Sequence, residues 1–153
     1  NTFSSSFNGG IELFNASTEA SFMPRVLAQI EGNVLGPLVE AASIYVDAGI
    51  SELDLTLRAN TTAEPITLTG QNGGCMTIVG NNGPDIQGFT FGFPAFDVWE
   101  GPIAGAYLLA EDAVIGLNPA VTFVSMGSTD FVLSPFECAL PSFDGPDGGG
   151  GLD

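Results

Sequence analysis

Residues 53–58 read Leu-Asp-Leu-Thr-Leu-Arg, in which every apolar residue is followed by a polar one. Successive side chains of a β-strand point to opposite faces of its sheet, so this order predicts a strand with one buried and one solvated face. The same kind of alternation recurs along the chain, at residues 25–31, 66–69, 76–79, 89–93, 121–124 and 130–133. The chain is therefore predicted to be all-β.

Clusters of Gly, Asn and Pro separate these segments, and they lie at residues 8–10, 72–74, 81–84, 101–102 and 126–128. Glycine supplies positive φ angles and asparagine tolerates them, so such clusters favour tight turns. Short strands separated by frequent turns are typical of an antiparallel β-sandwich or jelly roll. We expect one such domain at residues 16–143, after an N-terminal strand segment at 1–15 and before a Gly-rich acidic tail at 144–153.

Residues 25–42 allow a second interpretation, because their apolar residues also recur at helical spacing. Gly32, Gly36 and Pro37 would interrupt such a helix, at a cost of about 1 kcal/mol for each Gly and about 3 kcal/mol for Pro. We therefore expect two strands joined by a loop near residues 32–37. A short helix at residues 38–42 remains an open alternative.

Arg25 and Arg58 are the only cationic side chains among 153 residues, against 18 Asp and Glu, which gives a formal charge of −16. The absence of His and Lys excludes histidine-based triads, histidine-liganded metals and catalytic lysines. Nucleic acid is not expected as a partner, because its binding depends on Lys and Arg. A carboxylate pair of the glycosidase kind needs neither residue. However, the acidic residues lie at alternating, solvated strand positions, so we expect no enzyme.

Cys75 and Cys138 lie 63 positions apart, a spacing that excludes a CxxC metal or redox motif. A disulfide between them would fit an exported protein, and two buried free thiols are the alternative. Asn15 and Asn60 each begin an Asn-x-Ser/Thr sequon and are candidate glycosylation sites in the same compartment. No apolar run is long enough to span a membrane. We expect an extracellular or cell-surface location.

The N-terminal segment carries strand-like apolar residues at a place where chain termini are usually poorly ordered. Such a segment pairs either within its own sheet or, as a donated strand, with the open sheet edge of a neighbouring copy. The candidate interface residues are Phe3, Phe7, Ile11, Leu13 and Phe14.

Calcium is the cation that this composition favours, because its ligands are carboxylate and carbonyl oxygens. Asp144 and Asp147 in the tail are the candidate ligands, and solvated acids are the alternative. Trp99 lies among acidic residues, where it would suit a sugar-binding platform or an interface anchor, or else pack at the rim of the core. No cofactor other than Ca²⁺ is considered.

Two segments of the chain resemble a known bacterial module. Tyr45-Val-Asp-Ala-Gly-Ile-Ser-Glu-Leu-Asp-Leu-Thr-Leu57 and Gly101-Pro-Ile-Ala-Gly-Ala-Tyr-Leu-Leu109 resemble strands of the pre-peptidase C-terminal type of β-sandwich module. The Asp-Leu-Tyr motif typical of that family is missing, and Glu64-Pro-Ile-Thr-Leu68 occupies the region. The resemblance implies an exported β-sandwich, and in the family such modules are non-catalytic appendages that bind or anchor.

We expect from these features a non-enzymatic, exported structural subunit. Its partners would be copies of itself, assembled into a pilus-like filament or a surface layer, by donation of the N-terminal strand if that segment does not close its own sheet. A secreted β-sandwich module that binds carbohydrate or Ca²⁺ is the alternative.

Overall fold

A computed structural model describes residues 2–3, 10–15, 25–37, 42–70, 72–90, 95–126 and 131–138, with the main chain alone at residues 2, 3, 89, 90, 125 and 126. Within these ranges the chain forms thirteen β-strands and one α-helix. The strands are β1 (Thr2–Phe3), β2 (Ile11–Phe14), β3 (Arg25–Glu31), β4 (Val34–Leu35), β5 (Ile44–Asp47), β6 (Glu52–Arg58), β7 (Thr61–Thr62), β8 (Ile66–Gly70), β9 (Gly74–Val79), β10 (Asn82–Thr90), β11 (Phe96–Trp99), β12 (Ala120–Met126) and β13 (Phe131–Ser134). The helix α1 (Ala110–Leu117) lies between β11 and β12.

Every pairing between the described strands is parallel. The prediction of an antiparallel β-sandwich or jelly roll is therefore wrong, although the all-β prediction agrees with the strand-rich structure. An alternating sequence shows which side of a strand is buried, and it carries no information about the direction of the neighbouring strand. The neighbours of β6 in its sheet are β3 and β9, both of which run parallel to it, so β6 forms no hairpin with either.

The chain winds as a parallel β-helix, because each strand pairs with strands that lie about one turn earlier and later in the sequence. Ile44 is opposite Ile66 and Ile66 is opposite Ile86, which are separations of 22 and 20 residues. Three walls result, which we name by the order in which the chain visits them. Face A contains β1, β4, β7 and the first residues of β10 and β12; face B contains β2, β5, β8 and the remainder of β10 and β12; face C contains β3, β6, β9, β11 and β13.

The described strands make five turns, and each turn visits face A, face B and face C in that order. The turns cover residues 2–31, 34–58, 61–79, 82–99 and 120–134. Residues 100–117 form an excursion between the fourth and fifth turns, and α1 lies within it. Because of the excursion, Asn82 is opposite Ala120, a separation of 38 residues.

The hydrophobic core fills the inside of the coil. In the second turn the inward side chains of Ile44, Val46 and Leu53 are fully buried. The partly buried apolar residues that pack against the core are Ile11, Leu13, Val26, Phe123 and Leu133. All five belong to the first or the fifth turn, so the core is sealed in the middle of the coil and less completely covered at both ends.

Two predictions about the N-terminal half can be compared with the strands. Residues 25–31 form β3, as expected, but β4 at residues 34–35 lies within the stretch that was predicted to be the loop, and residues 38–41 lie outside the described ranges. Of the N-terminal segment, β1 pairs with β4 and β2 pairs with β5 of the same chain, which is the own-sheet alternative. None of the described helices is long and apolar enough to cross a membrane.

Candidate functional site

A row of four buried asparagines runs along the corner where the chain leaves face C for face A. Its members, Asn33, Asn60, Asn81 and Asn118, are at most 4% exposed. Oδ1 of Asn60 accepts hydrogen bonds from the main-chain N–H of Asn33 at 3.1 Å and from its Nδ2 at 2.9 Å. Asn81 accepts the same two bonds from Asn60, and Asn118 accepts them from Asn81, all between 2.8 and 3.1 Å.

The side-chain amides of this asparagine row also donate to main-chain carbonyl groups of face C. Nδ2 of Asn60 donates to the Ile30 carbonyl, and Nδ2 of Asn81 donates to the Leu57 carbonyl, each at 2.9 Å. A buried amide is stable only when such partners are present. Nδ2 of Asn60 is buried and donates twice, so a glycan attached to it would break both bonds of the folded chain. Glycosylation at this sequon stays a prediction.

The asparagine row ends at the helix. Nδ2 of Asn118 donates to the Ile78 carbonyl at 2.9 Å and to the Val114 carbonyl at 2.7 Å, and its main-chain N–H donates to the Ile115 carbonyl at 3.2 Å. Carbonyls in the last turn of a helix lack partners within the helix, so Asn118 supplies them with donors. The same residue thus connects the excursion to the row inside the coil.

Residues 135–138, which we call the C-terminal strap, lie against the outer side of face C. Cys138 forms a disulfide with Cys75 of β9, which confirms the predicted bond and rules out the free-thiol alternative. The main-chain N–H of Cys138 donates to Oγ1 of Thr77 at 3.0 Å. Glu137 forms an ion pair with Arg58 of β6. After β13 the chain therefore turns back along the outside of the coil, toward earlier turns.

Both arginines are paired with carboxylates on the outer side of face C. Arg25 forms an ion pair with Asp54, whose side chain is 3% exposed and also accepts the main-chain N–H of Cys75 at 3.2 Å. Arg58 is paired with Glu31 at 3.7 Å and with Glu137, and these two carboxylates are 36% and 45% exposed. The only cations of the chain thus join neighbouring strands, and the described structure assigns them no other role.

The outer side of face B carries hydroxyl and carboxylate groups. Tyr45 lies opposite Glu12 on one side and Thr67 on the other. Burial raises the pKa of the Tyr45 hydroxyl above its usual value of 10.0, and the charge of Asp47 together with a hydrogen bond to that carboxylate raises it further. Asp47 also accepts the main-chain N–H of Gly49 at 2.8 Å, so its carboxylate holds the turn that follows β5.

The two ends of the coil present strand edges that pair with no other described strand. At the first turn these edges belong to β1, β2 and β3, and at the fifth turn to β12 and β13. An open cavity of about 630 Å³ with a mixed apolar and polar lining lies at the first end, between β2 and β3. The side chains of Ile11, Leu13, Ala28 and Ile30 contribute to its lining. Such edges are ready-made templates for pairing with a further strand.

The excursion adds a second apolar surface. Four of its side chains are strongly exposed, namely Ile103 at 71%, Leu108 at 92%, Leu109 at 59% and Ile115 at 44%. The buried residues of α1, which are Ala110, Ala113 and Val114, face the coil instead. Exposed apolar residues that are contiguous commonly mark a contact surface, and we call these four side chains the excursion surface.

The remaining predicted site residues are dispersed. Phe14 is 67% exposed at the first turn, and Ile11 and Leu13 line the cavity beside it. Nδ2 of Asn15 donates to Oγ of Ser51 at 2.5 Å, and glycosylation there stays a prediction. Trp99 is half-buried in β11.

The candidate calcium ligands and part of the predicted interface cannot be placed. The side chains of Phe3 and Phe7, together with Asp144 and Asp147, lie outside what the structure describes. Among the described residues no three Asp, Glu or Cys side chains form a group that could hold a metal ion. Calcium binding by the tail therefore stays a prediction.

Sequence reasoning missed the asparagine row. The signal that was present is positional, since each of Asn33, Asn60 and Asn81 stands immediately before a strand that begins on face A. The interval between row members changes from 27 to 21 and then to 37 residues, as their numbers show, because loops of different length join the turns. This irregular period hid the repeat.

Comparison with known proteins adds no assignment. No protein-family model matches the chain, and neither a curated protein nor a solved structure matches it significantly.

Proposed function

We propose that this protein is a non-enzymatic structural subunit that assembles with copies of itself outside the cell. The observation that carries the proposal is the incomplete cover of the core at both ends of the coil, where strand edges are also unpaired in the described structure. In coiled repeat folds, terminal repeats normally need a polar cap to keep the protein soluble. Pairing between copies would bury the apolar ends and satisfy the strand edges at once.

Three further observations support this proposal. The disulfide is of the kind that persists in an oxidising compartment, which fits an exported protein. Both arginines form ion pairs within the chain. The strands β1 and β2 already pair within their own chain, which favours the addition of whole subunits at their edges over donation of residues 1–15.

The net charge sets a condition on such assembly. Each copy carries a formal charge of −16, so copies repel one another. At 0.15 M ionic strength exposed charges are screened beyond about 8 Å, and at low salt the repulsion reaches much further. Assembly should therefore strengthen as salt is added, or as Ca²⁺ bridges acidic groups of neighbouring copies.

Sedimentation velocity and negative-stain microscopy of the oxidised chain test the proposal. We expect particles that grow with protein concentration and with NaCl. Leu133→Asp places a charge at the edge of the last turn and should reduce assembly. Thr67→Asp adds the same charge in the middle of face B and should leave assembly unchanged. Ile11→Asp repeats the test at the other end if the Leu133 variant does not fold. A monomer at every concentration and salt level would rule the proposal out.

A further inference from the structure

We infer that the copies join head to tail, with the first turn of one copy stacked on the fifth turn of its neighbour as a continuation of the coil. This inference rests on the proposed function and specifies its contact. The partner is a second copy of this chain, and the contact is parallel strand pairing on all three faces. The excursion surface is the competing contact, and the experiment below separates the two.

The described coil begins and ends at matching points of its repeat. The described strands begin on face A with β1 and end on face C with β13, so they make a whole number of turns. If a second copy is placed above the fifth turn, its first strand lies on face A. Face A is also the face that follows face C within the coil, so the order of faces continues across the contact. Each strand of its first turn then lies above a strand of the same face.

The registers inside the coil fix which residues would meet. On face C the column Val26, Leu53, Gly74, Phe96 and Phe131 is continuous from the first turn to the last. Repeating the column places Val26 of the next copy above Phe131. On face B the column from Ile11 through Ile44, Ile66 and Ile86 to Phe123 is also continuous and places the next Ile11 above Phe123.

The apolar side chains of the two ends complement each other in this arrangement. At the last turn Phe123 and Phe131 are in edge-to-face contact with ring centroids 5.9 Å apart, and Phe123 is only partly buried. At the first turn the lining of the open cavity contains apolar residues, among them Ile11 and Ala28, beside the polar residues Glu12, Gln29 and Glu31. Stacking would bring the aromatic pair against this cavity and cover both ends of the core. Burial of apolar surface is the dominant favourable term in such associations.

The course of the chain after β13 is compatible with the contact. The C-terminal strap leaves the coil axis and is held against the outer side of face C by the disulfide between Cys75 and Cys138. Glu137 reaches Arg58 of the second turn. Residues 135–138 are thus directed toward earlier turns, on the side away from an incoming copy.

The geometry of the product follows from the fold. The two ends are different surfaces, so the contact is heterologous and repeats without closing, which produces a filament. Neighbouring strands lie about 4.8 Å apart, and five turns therefore give an axial repeat of roughly 24 Å per copy. Contacts through the excursion surface would not impose this repeat.

Cross-linking tests the predicted register. Leu27 and Val132 both lie on the outer side of face C, one position after Val26 and Phe131, and would become neighbours across the contact. The double variant Leu27→Cys/Val132→Cys should give, on mild oxidation, a ladder of dimers, trimers and longer species on a non-reducing gel. Peptide mapping should show a bond between the two introduced thiols, with the native disulfide intact.

The matched control is Leu27→Cys/Val124→Cys. Val124 is 46% exposed and Val132 is 43% exposed, but Val124 lies on face B and would not meet Leu27 in the filament. Particles that form without the ladder, or equal ladders from both variants, would overturn the head-to-tail register while leaving self-assembly intact. The contact would be assigned to the excursion if Leu108→Asp abolished the particles and the wild-type particles had an axial repeat clearly different from roughly 24 Å. Absence of any particle would instead remove the proposed function itself.

Discussion

Oδ1 of Asn81 accepts two hydrogen bonds from Asn60, one from its main-chain N–H at 3.1 Å and one from its Nδ2 at 2.9 Å. Asn81 is at the same time a donor to the next turn, where its own N–H and Nδ2 reach Asn118. One side chain therefore links three successive turns, and the link lies inside the coil, away from water.

Asn81→Ala should destabilise the fold strongly. It removes the acceptor of two donors on Asn60 and leaves those buried groups unsatisfied, at about 1–3 kcal/mol for each group. The neighbouring Asn82→Ala is the control, because the Asn82 side chain is exposed, and it should change stability by less than about 0.5 kcal/mol. Chemical denaturation followed by circular dichroism measures both. Equal midpoints for the two variants would show that the asparagine row contributes little.

Removal of the disulfide should lower stability without changing the fold. The bond closes a loop between residues 63 positions apart, for which the chain-entropy model gives about 4 kcal/mol. The Cys75→Ser/Cys138→Ser variant and the reduced wild type should both show this loss in thermal unfolding. An unchanged melting temperature in reductant would contradict the clamping role of the bond.

The two arginines should differ in importance. Arg25→Gln leaves the carboxylate of Asp54, which is 3% exposed, without its cation. Because the Arg25 side chain itself is 55% exposed, we expect a loss of about 1–3 kcal/mol for the group left without its partner. Arg58→Gln releases only carboxylates that are at least 36% exposed, so its cost should stay below about 1 kcal/mol. Urea midpoints of the two variants give the comparison. A larger loss for the Arg58 variant would reverse this assignment.

Tyr45 should make the fold sensitive to alkaline pH. Its pKa is raised in the folded chain by burial and by Asp47, so the native state holds the phenolic proton more tightly than the unfolded state does. The resulting stability is fully present below the unfolded pKa near 10.0 and is lost as pH rises through the folded pKa. Tyr45→Phe should therefore flatten the decline in stability above pH 10, whereas Tyr107→Phe serves as the control. Absorbance titration of the Tyr45 variant should lack a transition above the usual tyrosine pKa of 10.0, and an unchanged decline of stability in that variant would refute the linkage.

The sequence by itself determined which residues face the core. Leu53, Leu55 and Leu57 are fully buried, as their alternation with polar residues predicts, because side chains of a strand point alternately to its two sides. The expected solvation of the opposite face is wrong for Asp54 and Thr56, which are 2% and 5% exposed. The disulfide partners were also evident, since the chain contains only two cysteines. The break near Gly32 separates β3 from β4, as the helix-breaking residues indicate.

Only the tertiary structure decided the direction of the strands and the use of the asparagines. Strand alternation is the same in parallel and antiparallel sheets, so residues 53–58 fit either arrangement, and the parallel partners of β6 come from turns before and after it. An asparagine in a sequence is equally a turn residue, a glycan acceptor or a buried donor. The burial of Asn60 between Asn33 and Asn81, set by the stacking of turns, makes it a buried donor in the folded chain.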